Sequence, residues 1–193
     1  MEVEAPTERS PRGRLLAAAI AHVESHGVGD LSLRELAAAI GTSHRMLIYH
    51  FGSKEGLVIA LVQAVEAAQR AFLAQLFADP AVDPAEAVRT MWRRLADPGL
   101  HPQERLLFEM YGQALQGRPG TAGFLDGIVD SWVAVIADQA ARQGIPAGAA
   151  RADARLSVAV ARGLLLDLLA TGDRQRVDEA LERYIELCVP SGA

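Results

Sequence analysis

The stretch Leu31-Ser32-Leu33-Arg34-Glu35-Leu36-Ala37-Ala38-Ala39-Ile40-Gly41-Thr42-Ser43-His44-Arg45-Met46-Leu47-Ile48-Tyr49-His50-Phe51 decides how this chain is read. Ser32 and Glu35 stand at capping-box spacing: the serine oxygen takes the Glu35 amide while the Glu35 side chain reaches back, with Leu31 and Leu36 at the staple positions. A helix therefore starts at Ser32 and ends near Gly41. After the turn Gly41-Thr42-Ser43 a second short helix runs from about His44 to Phe51. Leu33, Leu36, Ala37 and Ile40 face inward on the first helix, Ala37 being small enough for a close crossing, and Leu47 and Phe51 are their counterparts on the second. Upstream, Leu15, Leu16, Ala19, Ile20 and Val23 lie on one face of a longer helix from about Arg12 to His26, with Gly27 after its C-cap. A long amphipathic helix followed by two short ones across a glycine-containing turn describes a three-helix helix-turn-helix module, with residues 32–51 as the motif.

The outward face of the last short helix carries His44, Arg45, Ile48 and Tyr49. A major groove admits one helix, so Arg45 is placed to read guanine and His44 a base acceptor. Tyr49, His50 and Lys54 lie farther along and suit phosphate oxygens. Leu31-Ser32-Leu33-Arg34-Glu35-Leu36-Ala37, Gly41-Thr42-Ser43 and above all Leu47-Ile48-Tyr49-His50-Phe51-Gly52-Ser53-Lys54-Glu55-Gly56-Leu57 resemble the TetR-type one-component transcriptional regulators, whose pattern there is L-Y-x-H-F-x-S-K-E-x-L. The resemblance is strong over residues 12–57 and only architectural beyond. It departs at Ile48, where the family commonly has tyrosine, and at Arg45-Met46, where a small pair is common. It implies a DNA-facing set of Ser32, Arg34, Thr42, His44, Arg45, Met46, Tyr49, His50 and Lys54.

The rest of the composition agrees with a local DNA surface on an ordinary globular chain. The 193 residues are 50% hydrophobic and 22% charged, enough for a core. The net charge of −5 has the wrong sign for a protein that coats nucleic acid indiscriminately. Residues 9–56, by contrast, hold Arg9, Arg12, Arg14, Arg34, Arg45 and Lys54 against Glu24, Asp30, Glu35 and Glu55, and four of the five histidines. One cysteine, Cys188, forms no internal disulfide and no cysteine zinc site, which suits a reducing cytosol. The first residues lack the basic and apolar regions of a signal peptide, and no run of about 18 apolar residues occurs, so a cytoplasmic protein without a membrane partner is expected. The polar first ten residues, with Pro6, are expected to form a mobile arm.

Downstream the spacing is helical throughout, and the chain reads all-α with about nine helices. Ser53 caps a fourth helix to about Phe77, and Asp83-Pro84-Ala85-Glu86 opens a fifth to about Ala96. Further helices are predicted at about 102–115, 122–143, 149–171 and 174–188. We read residues 1–56 as a DNA-binding domain and 57–193 as a helical effector-binding and dimerisation domain. Met91, Trp92, Phe108, Met110, Tyr111, Phe124 and Trp132 concentrate on helices five to seven. Core packing is their ordinary role, yet Trp92, Met110, Tyr111, Phe124 and Trp132 are also the candidate lining of an effector pocket.

Gly163 to Leu169 is apolar on nearly every side except Asp167, which predicts a two-fold homodimer through Leu165, Leu168, Val177, Leu181, Tyr184, Ile185 and Cys188. In that apolar run Asp167 needs a partner, a ligand or an exposed strip. Glu109 is expected in a solvated pair with Arg105.

Catalytic signals are absent: no Gly-Lys-Ser/Thr phosphate loop, G-x-S-x-G elbow or H-E-x-x-H occurs, and His22 and His26, at i, i+4, lack a third zinc ligand. The expected function is a non-enzymatic regulator without cofactor, with double-stranded operator DNA, a small apolar or amphipathic effector and a second copy as partners. The alternatives are an all-α ligand-binding protein without DNA affinity and a helical-bundle enzyme.

Overall fold

The computed structural model describes residues 10–26 and 32–189. Among them the order is α1 (Pro11–His26), α2 (Leu33–Ala39), α3 (His44–Phe51), α4 (Lys54–Ala78), α5 (Pro84–Leu95), a 3-10 turn (Pro98–Leu100), α6 (His101–Leu115), α7 (Asp130–Arg142), α8 (Ala147–Thr171) and α9 (Arg174–Cys188), with no strand. The expected arm, the Gly27 cap and the Leu31 staple lie outside the described residues.

By contacts the chain forms two compact units, one of Met1–Glu66 with Pro102–Phe124, the other of Ala67–His101 with Leu125–Ala193. The first is organised by side-chain caps. Ser32 begins α2, although its hydroxyl accepts from the Arg34 amide at 3.3 Å instead of the expected Glu35 amide. Ser43 accepts from Met46 N at 3.2 Å to begin α3, and Ser53 from Gly56 N at 3.0 Å to begin α4. Each satisfies an amide that a first helical turn leaves without a partner. Gly52 ends α3 with φ +79°, a conformation that costs a side chain steric strain. The core joins Leu16, Ala19 and Val23 of α1, Leu33, Leu36 and Ala37 of α2, Leu47 and Phe51 of α3, and Leu57 and Leu61 of α4. Every inward position read from the helix-turn-helix pattern is in or against this cluster, Ile40 being half-buried.

In the second unit Leu73, Met91, Leu95, Trp132, Val133, Ala137, Ala150, Ala154 and Val158 form the main core. Asp83 accepts from Ala85 N at 2.8 Å and Glu86 N at 3.4 Å, as its box predicts. α7 packs on α8, and α8 on α9. The helix predicted at 122–143 begins only at Asp130. Residues 121–129 are a run of turns, in which Gly123 and Gly127 take φ +77° and +69° and break helical hydrogen bonding. α4 averages a hydropathy of 1.5 over its most apolar window, enough by composition to cross a bilayer, yet 44% of that window is buried in the fold. It also carries Glu66 and Arg70.

Candidate nucleic-acid interface

Turning Leu47 and Phe51 into the core presents the opposite side of α3 to solvent. His44, Arg45, Met46 and Tyr49 are exposed there, Tyr49 at 78% and Met46 at 40% of full accessibility. Ile48 is not on that face: it is half-buried against the module's core, because it lies one residue from Leu47 and three from Phe51. Arg34 on α2 and Lys54 at the start of α4 are exposed as well. The side chains of Arg34, His44, Arg45 and Lys54 have no hydrogen-bond or ion-pair partner among the described residues. Elsewhere six arginines pair with carboxylates, Arg89 with Glu182, Arg93 with Glu86, Arg155 with Asp130, Arg174 with Asp178, Arg176 with Asp173 and Arg183 with Glu186, while the exposed Arg105, Arg118, Arg142 and Arg151 do not among the described residues. Free cations around an outward helix are what a polyanion requires.

Ser32 and Thr42 are half-exposed, and the Ser32 hydroxyl is occupied in capping. His50 is held from behind. Its backbone oxygen accepts from Arg12 Nε at 3.3 Å, its ring meets Tyr49 edge-on at 5.0 Å, and its Nε2 is buried without a partner. A phosphate would have to approach the other ring nitrogen. Arg12 also lies 5.0 Å over the Phe51 ring, tying α1 to the end of α3. Gly56 supplies the second constraint: a Cβ there would stand 2.1 Å from the Phe51 carbonyl oxygen, so the first turn of α4 approaches the end of α3 as only glycine allows. Neither role has a local sequence signal beyond a glycine in a first helical turn.

The five expected pocket residues divide between the units. Met110 and Phe124 are buried in the first, where Phe124 and Tyr111 meet edge-on at 5.7 Å. Trp132 and Trp92 belong to the second. Arg70 lies 5.9 Å from the Trp132 ring, and Trp92 donates Nε1–H to Asp178 at 2.6 Å. Asp178 also accepts from Arg174 Nε at 2.8 Å, and Arg174 donates to the Ala96 carbonyl at 2.8 Å. The Trp92 indole N–H, expected to orient a ligand, is therefore used inside the fold. Glu109 accepts from Gln113 at 2.9 Å in place of the expected Arg105. Composition did not single out the buried polar residues Glu66, Gln103 and Glu104, since burial of a polar residue leaves no mark in sequence.

Of the expected dimer residues, Leu165, Leu168, Val177, Leu181 and Ile185 are 1–4% exposed and already buried within their own chain. Tyr184 is half-buried and hydrogen-bonds Ser157 at 2.5 Å; burial holds its phenol above the ordinary value of 10.0. Cys188 is exposed. The outward stripe of α8 is Leu156, Ala159, Gly163, Leu166 and Ala170, alternating three and four residues apart, with Asp167 exposed beside it and Leu187 exposed on α9. No group of three or more His, Cys, Asp or Glu able to hold a metal occurs among the described residues.

The arrangement is a capped helix-turn-helix module joined to a helical body. Residues 15–61 match the model of the bacterial regulatory proteins, tetR family. Solved structures share the whole fold. A TetR transcriptional regulator from Legionella pneumophila superposes with TM-score 0.68 at 19% identity, over 92% of this chain and 96% of that one. Thermus thermophilus FadR, a TetR-family repressor in complex with lauroyl-CoA, gives 0.65 at 21%, over 92% and 93%. BioQ, with its natural double-stranded DNA operator, gives 0.60 at 19%, over 92% and 97%. No curated protein matches in sequence.

Proposed function

We propose that this chain is a homodimeric repressor that binds a pseudo-palindromic operator and releases it when a small apolar or amphipathic molecule binds. The observation that carries the reading is that Arg45 on the outward face of α3, with Arg34 and Lys54 on the helices before and after it, is exposed and without an ion-pair partner among the described residues. Two copies present two such helices to successive major grooves, and half-site spacing then mirrors the dimer's symmetry. Repression needs no chemistry, only occupancy; the protein is not an enzyme and acts in the cytoplasm, where its DNA is.

Dimerisation uses the outward surface of α8 and α9 that exposes Leu156, Leu166 and Leu187, since exposed large apolar side chains gain most from burial against a second copy. Release follows from a ligand that favours a conformation whose helix spacing no longer fits the operator. α4, continuous from the end of the recognition helix to Ala78, is the element that would carry the change. Met110, Tyr111 and Phe124, within the first unit, remain the effector-facing candidates, and FadR's lauroyl-CoA is an example of an amphipathic ligand on this fold. Selecting fragments from random duplex DNA with the purified protein tests the reading. Enrichment of an inverted repeat, with retention that falls steeply with salt, is expected. Retention without salt dependence, or no enrichment, would overturn it.

A further inference from the structure

We infer that Met46 is a specificity-determining residue that reads the C5-methyl group of a thymine, so that each operator half-site holds a thymine beside the base pair addressed by Arg45. The inference rests on the DNA-binding reading above and adds what the recognition helix recognises. Among the described residues of 10–66 the exposed large apolar side chains are Met46 and Tyr49, and both lie on the outward face of α3, three residues apart. Cations stand near the pair in the module: Arg45 adjoins Met46, and Arg34 and Lys54, on the flanking helices, have no ion-pair partner among the described residues.

An apolar pair on a helix that also exposes Arg45, with Arg34 and Lys54 exposed on the flanking helices, fits a surface that is anionic outside and has an apolar group within. The major groove of B-DNA has one apolar group, the thymine methyl, among otherwise polar base edges. A second protein surface would need carboxylates around an apolar centre, and the known relation of a recognition helix to a duplex makes DNA the occupant. Of the two apolar side chains Met46 is the reader. It lies in the first turn of α3, whose start Ser43 caps, and first-turn residues of a recognition helix meet base edges. Tyr49 lies a turn later, with its ring edge-on to His50. Residues 45 and 46 are about 100° apart around the helix and about 1.5 Å apart along it, so their side chains address neighbouring base pairs. Arg45 donates to guanine N7 and O6, and Met46 covers the methyl beside it.

Replacing thymine by deoxyuridine removes that methyl and nothing else. With the operator obtained by selection, each thymine of a half-site is replaced in turn and binding of the full-length protein measured. One position should weaken the wild type about fourfold, the ~0.8 kcal/mol of one buried methyl group. Met46→Ala should bind the two duplexes equally, while Met46→Leu, still apolar, should keep most of the discrimination. A wild type indifferent to every replacement overturns the inference and leaves the DNA-binding reading standing. Sensitivity that survives in Met46→Ala and vanishes in Tyr49→Ala assigns the contact to Tyr49 and likewise overturns it. Failure to select any operator removes both. All these side chains are exposed, so the variants leave the module's core untouched.

Discussion

Gly56 and Gly112 show how one residue type takes opposite signs. Both lie inside helices, where exchange for alanine ordinarily gains about 1 kcal/mol. At Gly112 a Cβ meets nothing within 4 Å, so Gly112→Ala should raise the urea midpoint by close to that gain. At Gly56 the same carbon would stand 2.1 Å from the Phe51 carbonyl, a backbone atom that moves only if α3 and α4 separate. Forced overpacking costs about 1–3 kcal/mol and outweighs the propensity gain. Gly56→Ala should therefore lower the midpoint and weaken DNA binding, since it displaces the recognition helix; a stabilised variant would show that the approach is looser. Arg45 and Lys54 separate in the same way by partner. Arg45→Ala should cost about 1–3 kcal/mol mainly on the selected operator, whereas Lys54→Ala should weaken all duplexes and flatten the salt slope by about one unit. Equal effects of Arg45→Ala on operator and random DNA would remove it as base reader.

At the scale of elements, α5 and α9 are tied by two polar contacts of different kind. Trp92 and Arg174 share the Asp178 carboxylate, and Arg89 reaches Glu182 with Nε and Nη2 at 2.9–3.0 Å. The hydrogen bond from Arg89 holds the Glu182 carboxyl below its ordinary 4.5, and Glu182 in turn raises the Arg89 guanidinium. A lowered carboxyl adds stability that is complete above 4.5 and disappears as pH falls through the lowered value. Both side chains keep more than a third of their exposure, so water screens the pair. A double-mutant cycle of Arg89→Gln and Glu182→Gln should give less than about 1 kcal/mol at neutral pH and nothing well below 4.5. Coupling that persists in acid would refute the ion pair as its source. The helix expected from residue 122 illustrates the opposite dependence: its apolar spacing was readable, but two left-handed glycines at 123 and 127 override it.

For the whole molecule, the surface of α8 and α9 decides how two chains meet. Leu166→Arg should yield folded monomers in sedimentation, because Leu166 is 51% exposed and its own chain does not need it buried. Leu181→Arg, at 4% exposed, should unfold the chain instead. Dimers that survive Leu166→Arg would move the interface off this stripe. Regulation is likewise a property of the whole. An effector shifts DNA affinity only by its differential affinity for two states, typically about 5–150-fold, and operator DNA must weaken effector binding by the same factor. Titrating tryptophan fluorescence with amphipathic compounds, with and without operator, checks this reciprocity. Ligands whose affinity ignores the operator would leave a binding site without a regulatory role.

The sequence by itself determined the all-α class, the helix-turn-helix module and the exposed cationic face of its last helix. Those follow from caps at Ser32 and Ser53, from helical spacing and from Gly41 and Gly52, all acting within a few residues of one another. Even Asp167 was readable as a choice among three environments, of which the exposed strip is the one found. Tertiary structure decided which side of α8 and α9 faces outward. A helix apolar on nearly every side, as from Gly163 to Leu169, gives no periodicity from which to tell the buried Leu165 and Leu168 from the exposed Leu166. It also decided that the Trp92 indole N–H is spent on Asp178, and that α3 is held by Arg12 and by the close approach at Gly56. Residues 86 and 38 positions apart meet in two of these contacts, a distance that local spacing does not encode.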